Sequence, residues 1–371
     1  MIEPWFIFGG GGTGGHLFPG IAVADAIRTL EPAARITFMT TARDLDRTLL
    51  DQAGYERIPQ VVRPFSTRPW HWPAFLVAWR RSVNAATRCM RERPRAVLGL
   101  GGYAAGPPVI AAARLGIRTA ILNPDAVPGR ANRVLSRRSD AIFAQWETTR
   151  AHFVRGAPCM VVGCPIRAAF AGPPLERSAA RAALGLDPAR RLLLVTGASQ
   201  GAQSINDALV DIWPRFLAEH PGWQLLHLSG AAHETALRSA YARSGASATV
   251  LGFTHDMRSA ISAADAIVSR AGASTLAELT AVGRASILLP YPYHRDQHQR
   301  ANARVLAEAG AAILLEDRRS AQENAAPLLA ALRRLADDTT RLAVEQAAAR
   351  LGRPHAALDV ARWLLDADAL S

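Results

Sequence analysis

A histidine placed directly behind a run of glycines is the first feature of this chain with chemical potential. Gly9 to Gly12, Thr13, Gly14 and Gly15 lead into His16, with Phe18-Pro19-Gly20 just after it. Glycine lets a backbone approach a ligand closely, and an imidazole exchanges protons near neutral pH. His16 therefore reads either as a proton-transfer group or as a residue that caps a helix and satisfies its loop. The glycines also contain Gly-x-Gly-x-x-Gly, the dinucleotide fingerprint. A nicotinamide site would want an acidic residue at the end of the second strand, but that strand ends Met39-Thr40-Thr41 and Asp44 comes several residues late. This disfavours an oxidoreductase.

Three further runs bear on chemistry. Gly197-Ala198-Ser199-Gln200-Gly201-Ala202 offers backbone N–H groups ahead of a helix N-terminus, which suits phosphate, with Ser199 as an added donor. A ligand-free strand-to-helix turn is the alternative. Arg270 to Glu278 opens another helix: Thr275 and Glu278 fit the capping-box spacing, while Glu278 as an acceptor-only carboxylate suits vicinal ribose hydroxyls. The stretch from Tyr293 to Asn302 is dense in hydrogen-bonding groups and reads as a sugar-binding loop or a solvated helix start. Two Asp-x-Asp pairs, Asp44/Asp46 and Asp366/Asp368, have the spacing of a metal clamp for a diphosphate. The first looks like helix N-terminal chemistry and the second lies near the chain end, so no metal site is assigned.

The elements that must position these groups follow from the hydrophobic pattern. Short β-rich runs alternate with helical spacings, which implies βαβ units and parallel sheets. In the first half the strand candidates are 5–8, 35–39, 96–100, 119–122, 141–144 and 160–162; Leu17, Ile21, Ala24, Ile27 and Leu30 between the first two recur at helical spacing. The second half repeats the layout at 192–195, 223–228, 249–251, 266–268, 286–289 and 312–315. Ala171-Gly172-Pro173-Pro174 reads as the linker. Two doubly wound parallel-sheet domains facing across a cleft are expected, with the ligand between them.

Composition narrows the class. The 371 residues are 49% hydrophobic and 20% charged, which fits a soluble globular chain of two domains. All 43 basic residues are arginine, against 31 acidic ones, for a net charge of +12. Anionic partners are expected, and the guanidinium fork suits phosphate. Cys89, Cys159 and Cys164 form no Cys-x-x-Cys pair, which argues against a disulfide scaffold or structural zinc and fits a reducing cytoplasm. Glu3 and Pro4 stand where a signal peptide would carry its basic region. The uncharged stretch 96–113 is broken by glycines and prolines and reads as strand, turn and helix. Trp70, Trp72, Phe75, Leu76 and Trp79, flanked by Arg63, Arg68, Arg80 and Arg81, mix aromatic bulk with positive charge. That suits an anionic membrane surface or a helix packed on its sheet. No RNA- or DNA-binding pattern is present, so no nucleic-acid partner is expected.

Taken together these motifs resemble the MurG family of UDP-N-acetylglucosamine transferases, from Phe8 to about Leu315. The carriers are residues 9–20, Gly99-Leu-Gly-Gly-Tyr-Ala-Ala-Gly-Pro-Pro108, Ala126-Val-Pro-Gly-Arg-Ala-Asn-Arg133, Val162-Gly-Cys-Pro-Ile-Arg167, residues 197–202, 270–278 and 296–302. The resemblance implies a GT-B fold: an N-terminal acceptor and membrane domain over 1–168, a donor domain over 169–350, and a C-terminal helix within 351–371 returning to the first. It implies Phe253, Thr254 and Met257 around uracil, Arg167 beside the nucleotide, and Ser199 and Thr275 on the diphosphate. Thr13, Gly14, Gly15, Gln200, Ala273 and Ser274 join the donor side, Glu278 the ribose, and Gln299, with Asn302, the sugar hydroxyls. His16 falls at the reacting centre, and Gly101, Gly102, Tyr103, Asn123 and Asp125 on the acceptor.

The implied reaction is inverting transfer of N-acetylglucosamine from UDP-N-acetylglucosamine to the 4-hydroxyl of lipid-linked N-acetylmuramyl-pentapeptide, without a cofactor or required metal. The enzyme would sit peripherally on the cytoplasmic face of the bacterial inner membrane. A UDP-N-acetylglucosamine 2-epimerase and a non-catalytic nucleotide or lipid-carrier binding protein are the alternatives. One departure stands out. The family usually reads His-Glu-Gln-Asn before Ala-Val-Pro-Gly, whereas this chain reads Leu122-Asn123-Pro124-Asp125. Residues two apart in an extended segment point the same way, so Asp125 is expected to take over the acceptor-side carboxylate role.

Overall fold

The computed structural model describes residues 3–64, 68–197, 201–293 and 296–366. Two compact units result: one runs to Ala168 and regains the chain from Pro354, and the other spans Ala169–Arg353.

The first unit holds seven parallel strands: β1 (Trp5–Gly10), β2 (Arg35–Thr40), β3 (Glu56–Pro59), β4 (Ala96–Gly101), β5 (Arg118–Asn123), β6 (Ala141–Ala144) and β7 (Cys159–Val161). Their spatial order is β3-β2-β1-β4-β5-β6-β7. Helices α1 (Gly14–Leu30), α2 (Asp44–Ala53), α3 (Trp72–Cys89), α4 (Gly106–Arg114) and α5 (Arg130–Leu135) connect them. Because both faces are covered, the central strands read as apolar runs rather than alternating ones. β1 still alternates in direction: Phe6 and Phe8 enter one core with Leu17, Val23 and Ile27, while Trp5 and Ile7 enter the other with Ala86, Met90 and Val109. β3, not anticipated from the sequence, is a short edge strand of mixed polarity ending in proline, a pattern that edges tolerate.

The second unit has β8 (Arg191–Thr196), β9 (Trp223–Leu228), β10 (Thr249–Leu251), β11 (Ala266–Ser269), β12 (Ala285–Leu288) and β13 (Ile313–Leu314), in the order β10-β9-β8-β11-β12-β13. The helices are α6 (Arg177–Ala183), α7 (Gln203–Glu219), α8 (Glu234–Ser244), α9 (Met257–Ala263), α10 (Ala273–Val282), α11 (His298–Glu308), α12 (Ala321–Ala336) and α13 (Asp338–Leu351). Leu193 and Val195 pack with Leu209, Trp213 and Phe216 of α7 and Leu328, Leu332 and Leu335 of α12. The expected strand at 312–315 shrinks to the two residues of β13.

The last helix, α14 (Ala356–Leu365), belongs to the first unit. Val360, Trp363 and Leu364 join the core under α1. Trp363 meets Phe143 edge-on at 5.4 Å, and the Arg118 guanidinium lies 3.7 Å over the indole. Its amphipathic stripe explains why it docks. In each sheet the strand order reverses once, between β1 and β4 and between β8 and β11, and at such switch points the loops leaving the carboxyl ends diverge and make room for a ligand.

Candidate active site

In the N-terminal unit the loop after β1 carries Gly11 (φ +140°) and Gly12 (φ +86°), conformations that L side chains rarely adopt. The loop is pinned by Asp46, a fully buried carboxylate in the first turn of α2. Gly12 N–H donates to its two oxygens at 2.9 and 3.0 Å, and the Thr41 N–H and hydroxyl donate to Oδ2 at 3.1 and 2.6 Å. Arg43 Nη1 adds a bond to Gly12 O at 2.8 Å. The protein's own carboxylate thus takes the N–H group that an external anion would take in a nucleotide loop. The place of Asp46 in the first turn suggests helix N-terminal chemistry, yet the Gly12 N–H it accepts from lies 34 residues away in the chain.

What the pinned loop presents is His16, in the first turn of α1 and half-buried. Its Nδ1 lies 3.2 Å from Thr13 Oγ1 and 3.4 Å from Gly11 O. A carbonyl can only accept, so the contact with Gly11 selects the Nδ1–H tautomer and leaves the lone pair on Nε2. The ring rests against the turn after β4. A Cβ on Gly101 (φ +102°) would stand 3.2 Å from Nε2, and one on Gly102 (φ +70°) 3.2 Å from Cε1, so a side chain at either would be strained and would press on the imidazole. Tyr103 follows, half-buried, in the turn that leads to α4. Thr13 and Gly15 are exposed and Gly14 half-buried at the start of α1.

The segment after β5 departs from the extended geometry assumed for it. The strand ends at Asn123, and the chain bends from Asp125 onward. Asn123 is buried, donating from Nδ2 to Asp125 O at 2.7 Å and accepting at Oδ1 from Asn132 Nδ2 at 2.9 Å. Both ends of its side-chain amide are thus bonded within the first unit. Asp125 is half-buried, and its direction is set by the bend rather than by strand alternation. Asn132, inside a motif quoted above but not singled out, is more telling. It also donates to Leu122 O at 3.2 Å, and its buried Oδ1 has no partner among the described residues, 3.7 Å from where a Gly101 Cβ would stand. An asparagine between Ala131 and Arg133 gives no periodic signal to find it by.

In the C-terminal unit Ser199 and Gln200 fall outside the described residues, but both ends of their loop are set. A Cβ on Gly197 would lie 2.3 Å from Ala202 N, and one on Gly201 (φ +75°) 2.1 Å from Ser229 O. At both glycines a side chain would run into neighbouring backbone. Beyond β11, α10 starts at Ala273 with Gly272 as its N-cap and no side-chain cap. Thr275 and Glu278 are thus inside the helix, one turn apart on one face and half-buried, and the capping-box reading is overturned. Ala273 and Ser274, both half-buried, complete the first turn, whose N–H groups face out along the helix axis.

Gln299, in the first turn of α11, accepts at Oε1 from Ala271 N–H (3.2 Å) and Tyr291 N–H (2.9 Å), which turns its amide nitrogen away from the backbone. Asn302 has no exposed surface and donates to Ala271 O at 3.5 Å. Its amide ties α11 to the turn after β11. Phe253 is 55% exposed and meets His255 edge-on at 4.9 Å. Thr254 Oγ1 accepts from Asp256 N–H at 3.1 Å, and Asp256 caps α9, which begins at the half-buried Met257. Arg167 is exposed in the stretch after β7, on the first unit.

The aromatic segment divides into two populations. Trp70, Trp72 and Leu76 are 70%, 45% and 54% exposed, and Val77, which the sequence reading passed over, is exposed beside them. Trp79 is instead packed onto Gly106, where a Cβ would stand 2.4 Å from its ring, and stacks on Phe75 at 6.0 Å. Trp79 is part of the α3–α4 contact and not of the exposed face. No helix among the described residues is long and apolar enough to cross a membrane, and no group of three or more His, Cys, Asp or Glu among them could hold a metal ion.

Comparison with known proteins agrees with this layout. Residues 6–144 match the glycosyltransferase family 28 N-terminal domain and residues 192–359 its C-terminal domain. The chain is 36% identical over 359 residues to the UDP-N-acetylglucosamine--N-acetylmuramyl-(pentapeptide) pyrophosphoryl-undecaprenol N-acetylglucosamine transferase of Desulforudis audaxviator, covering 94% of this chain and 95% of that one. It is 37% identical over 363 residues to the like-named protein of Prosthecochloris aestuarii, covering 96% of both. Among solved structures, MurG of Acinetobacter baumannii superposes with a TM-score of 0.78 at 26% identity, covering 98% and 99%. A UDP-N-acetylglucosamine 2-epimerase of Neisseria meningitidis gives 0.66 at 12% identity over 98% and 100%, a likeness of fold alone. The two-sheet α/β architecture and the near full-length identity place this chain in the MurG family of glycosyltransferases, with the GT-B fold.

Proposed function

We propose that the protein transfers N-acetylglucosamine from UDP-N-acetylglucosamine to the 4-hydroxyl of lipid-linked N-acetylmuramyl-pentapeptide, the step that makes the disaccharide precursor of peptidoglycan. The observation that carries this reading is the match over nearly the whole chain to relatives that all bear one activity in their name. In the reaction the acceptor O4 attacks the anomeric carbon opposite the diphosphate. The C1–O4 bond forms, the C1–O bond to UDP breaks with its electron pair leaving on the diphosphate, and the configuration inverts through an oxocarbenium-like state.

His16 Nε2 takes the acceptor proton, the Nδ1–H being donated to Gly11 O. Asp125 serves the acceptor side, and Gly101, Gly102 and Tyr103 line its diphosphate. Negative charge grows on the departing diphosphate, and N–H groups of Thr13, Gly14, Gly15, Ala273 and Ser274, with the Thr275, Ser199 and Gln200 side chains, stabilise it without a resident metal or cofactor. Glu278 accepts from the ribose hydroxyls, Gln299 Nε2 faces the sugar, Phe253, Thr254 and Met257 hold uracil, and Arg167 stands by the nucleotide. Trp70, Trp72 and Leu76 rest on the anionic cytoplasmic face of the membrane, with arginines around them. Incubating the protein with sugar-labelled UDP-N-acetylglucosamine, with and without the lipid-linked acceptor, tests the reading. Label appearing in the lipid only when acceptor is present is the expected result; free sugar released without acceptor points to an epimerase, and intact donor in both arms to a binding protein. A chelator in the assay buffer that abolished transfer would contradict the metal-free route.

A further inference from the structure

Four loops of the C-terminal unit converge on one carboxylate that the sequence reading did not single out. Asp317 follows β13, and its side chain has no exposed surface. Oδ2 accepts from Arg270 Nη1 and from Ser204 Oγ, each at 2.6 Å; Oδ1 accepts from Asn324 Nδ2 and from the Arg319 N–H, each at 2.8 Å. Arg270, itself buried, also donates to Leu289 O (3.0 Å), Pro290 O (3.3 Å) and Ser204 Oγ (3.3 Å). Ser204 stands in the first turn of α7, directly behind the glycine loop that leaves β8. Arg270 immediately precedes the turn into α10, and Leu289-Pro290 begins the loop that leads to α11. The hub therefore joins the segments after β8, β11, β12 and β13 at the end of the sheet where ladder bonds stop.

Such an arrangement is directional in a way that apolar packing is not. A buried guanidinium requires a counter-charge and acceptors for its N–H groups, and here they come from three segments, the start of α7 after β8, the turn after β12 and the turn after β13, so a shift of any one of them unpairs part of the hub. Burial by itself would raise the carboxyl's pKa, but the bonds from Ser204, Asn324, Arg270 and the Arg319 N–H outweigh it and hold the group below its ordinary value. We propose that Asp317 is a positioning residue for the sugar-nucleotide donor: through Arg270 and Ser204 it presets the spacing of the loops assigned to diphosphate, ribose and sugar. The proposal rests on the donor-side reading given above. Loops held in their bound arrangement spare the donor the cost of ordering them.

The test uses the full-length protein and two variants, Asp317→Asn and Ser204→Ala, with two measurements. In ligand-free protein, hydrogen exchange at residues 270–273 and 289–293 is expected to quicken in both variants while the central strands keep their protection. In steady-state assays the KM for UDP-N-acetylglucosamine is expected to rise about tenfold in Asp317→Asn and about threefold in Ser204→Ala, the range for a weakened charge-assisted hydrogen bond, with the acceptor KM unchanged and kcat reduced less than the donor KM rises. Exchange and donor KM within about twofold of wild type in the folded variants would overturn the proposal, as would a loss falling equally on both substrates. If Asp317→Asn fails to fold, Ser204→Ala decides alone, since it removes one hydroxyl. Wild-type protein that transfers nothing from UDP-N-acetylglucosamine counts against the proposed function instead, and is separable because the exchange measurement needs no substrate.

Discussion

Single side chains in this protein do their work through very local geometry. His16 is a base candidate because a carbonyl at Nδ1 chooses its tautomer and two glycines after β4 leave room for its ring. Removing a general base typically costs about 10²–10⁴-fold, so His16→Gln is expected to lower kcat by that order while leaving the donor KM within a few-fold. Asp125→Asn is expected to lower transfer at least about tenfold, the loss of a charge-assisted contact. Steady-state rates on both substrates check the pair; full activity in Asp125→Asn would remove Asp125 from the acceptor side. The glycine-histidine motif was readable as chemistry because the residue types are so unlike a core. Asn132 and Asp46 were not, because their value lies in partners brought near by the fold: Leu122 and Asn123 for one, Gly12 for the other.

Between elements, buried polar ties do what apolar contact cannot. His227 on β9 has no exposed surface; its Nδ1 lies 2.9 Å from Tyr241 Oη on α8 and its Nε2 3.0 Å from Asn206 Oδ1 on α7, and Asn206 Nδ2 donates to Ser229 O at 3.0 Å. Ser229 O is the atom against which Gly201 closes its turn, so the tie supports the glycine loop from behind. Burial lowers the His227 pKa from 6.5 to about 3. Between those values the unfolded chain binds a proton that the folded chain refuses, so the neutral tie stabilises fully above pH 6.5 and is lost as pH falls toward 3. Urea unfolding is expected to show lower stability from this group at pH 5 than at pH 6.5, by roughly 1 to 2 kcal/mol. His227→Gln, which cannot take up that proton, is expected to show a correspondingly flatter dependence; equal slopes for the two proteins would refute the assignment. The helix and strand elements themselves were largely legible, since buried parallel strands and amphipathic helices leave periodic traces. The two-residue β13 and the edge strand β3 were not, because an edge needs no apolar run.

At the scale of the whole chain, charge and exposed apolar surface set where it can work. The net charge is +12, all of the basic residues are arginine, and the first unit exposes Trp70, Trp72, Leu76 and Val77 together. Replacing Trp70, Trp72 and Leu76 by Ser is expected to cut sedimentation with anionic vesicles at least about tenfold, given ~0.8 kcal/mol per buried CH₂, with little change on soluble acceptor analogues. Unchanged sedimentation would count against a membrane face there. Trp79 is left out of that variant because it holds α3 to α4, a distinction that helical spacing alone did not draw.

What the amino-acid order determined by itself was the repeated strand-glycine-helix layout, the two-sheet class and the motif set, because periodicity and glycine requirements are local and written in residue types. Which faces those elements cover, and which polar atoms meet, was decided only by the tertiary structure. Asp317 with Arg270, Asp46 with Gly12, and Asn123 turned inward are all pairings between residues far apart in the chain or across a bend, and a desolvated hydrogen bond acquires its strength and direction only once the surrounding core has excluded water.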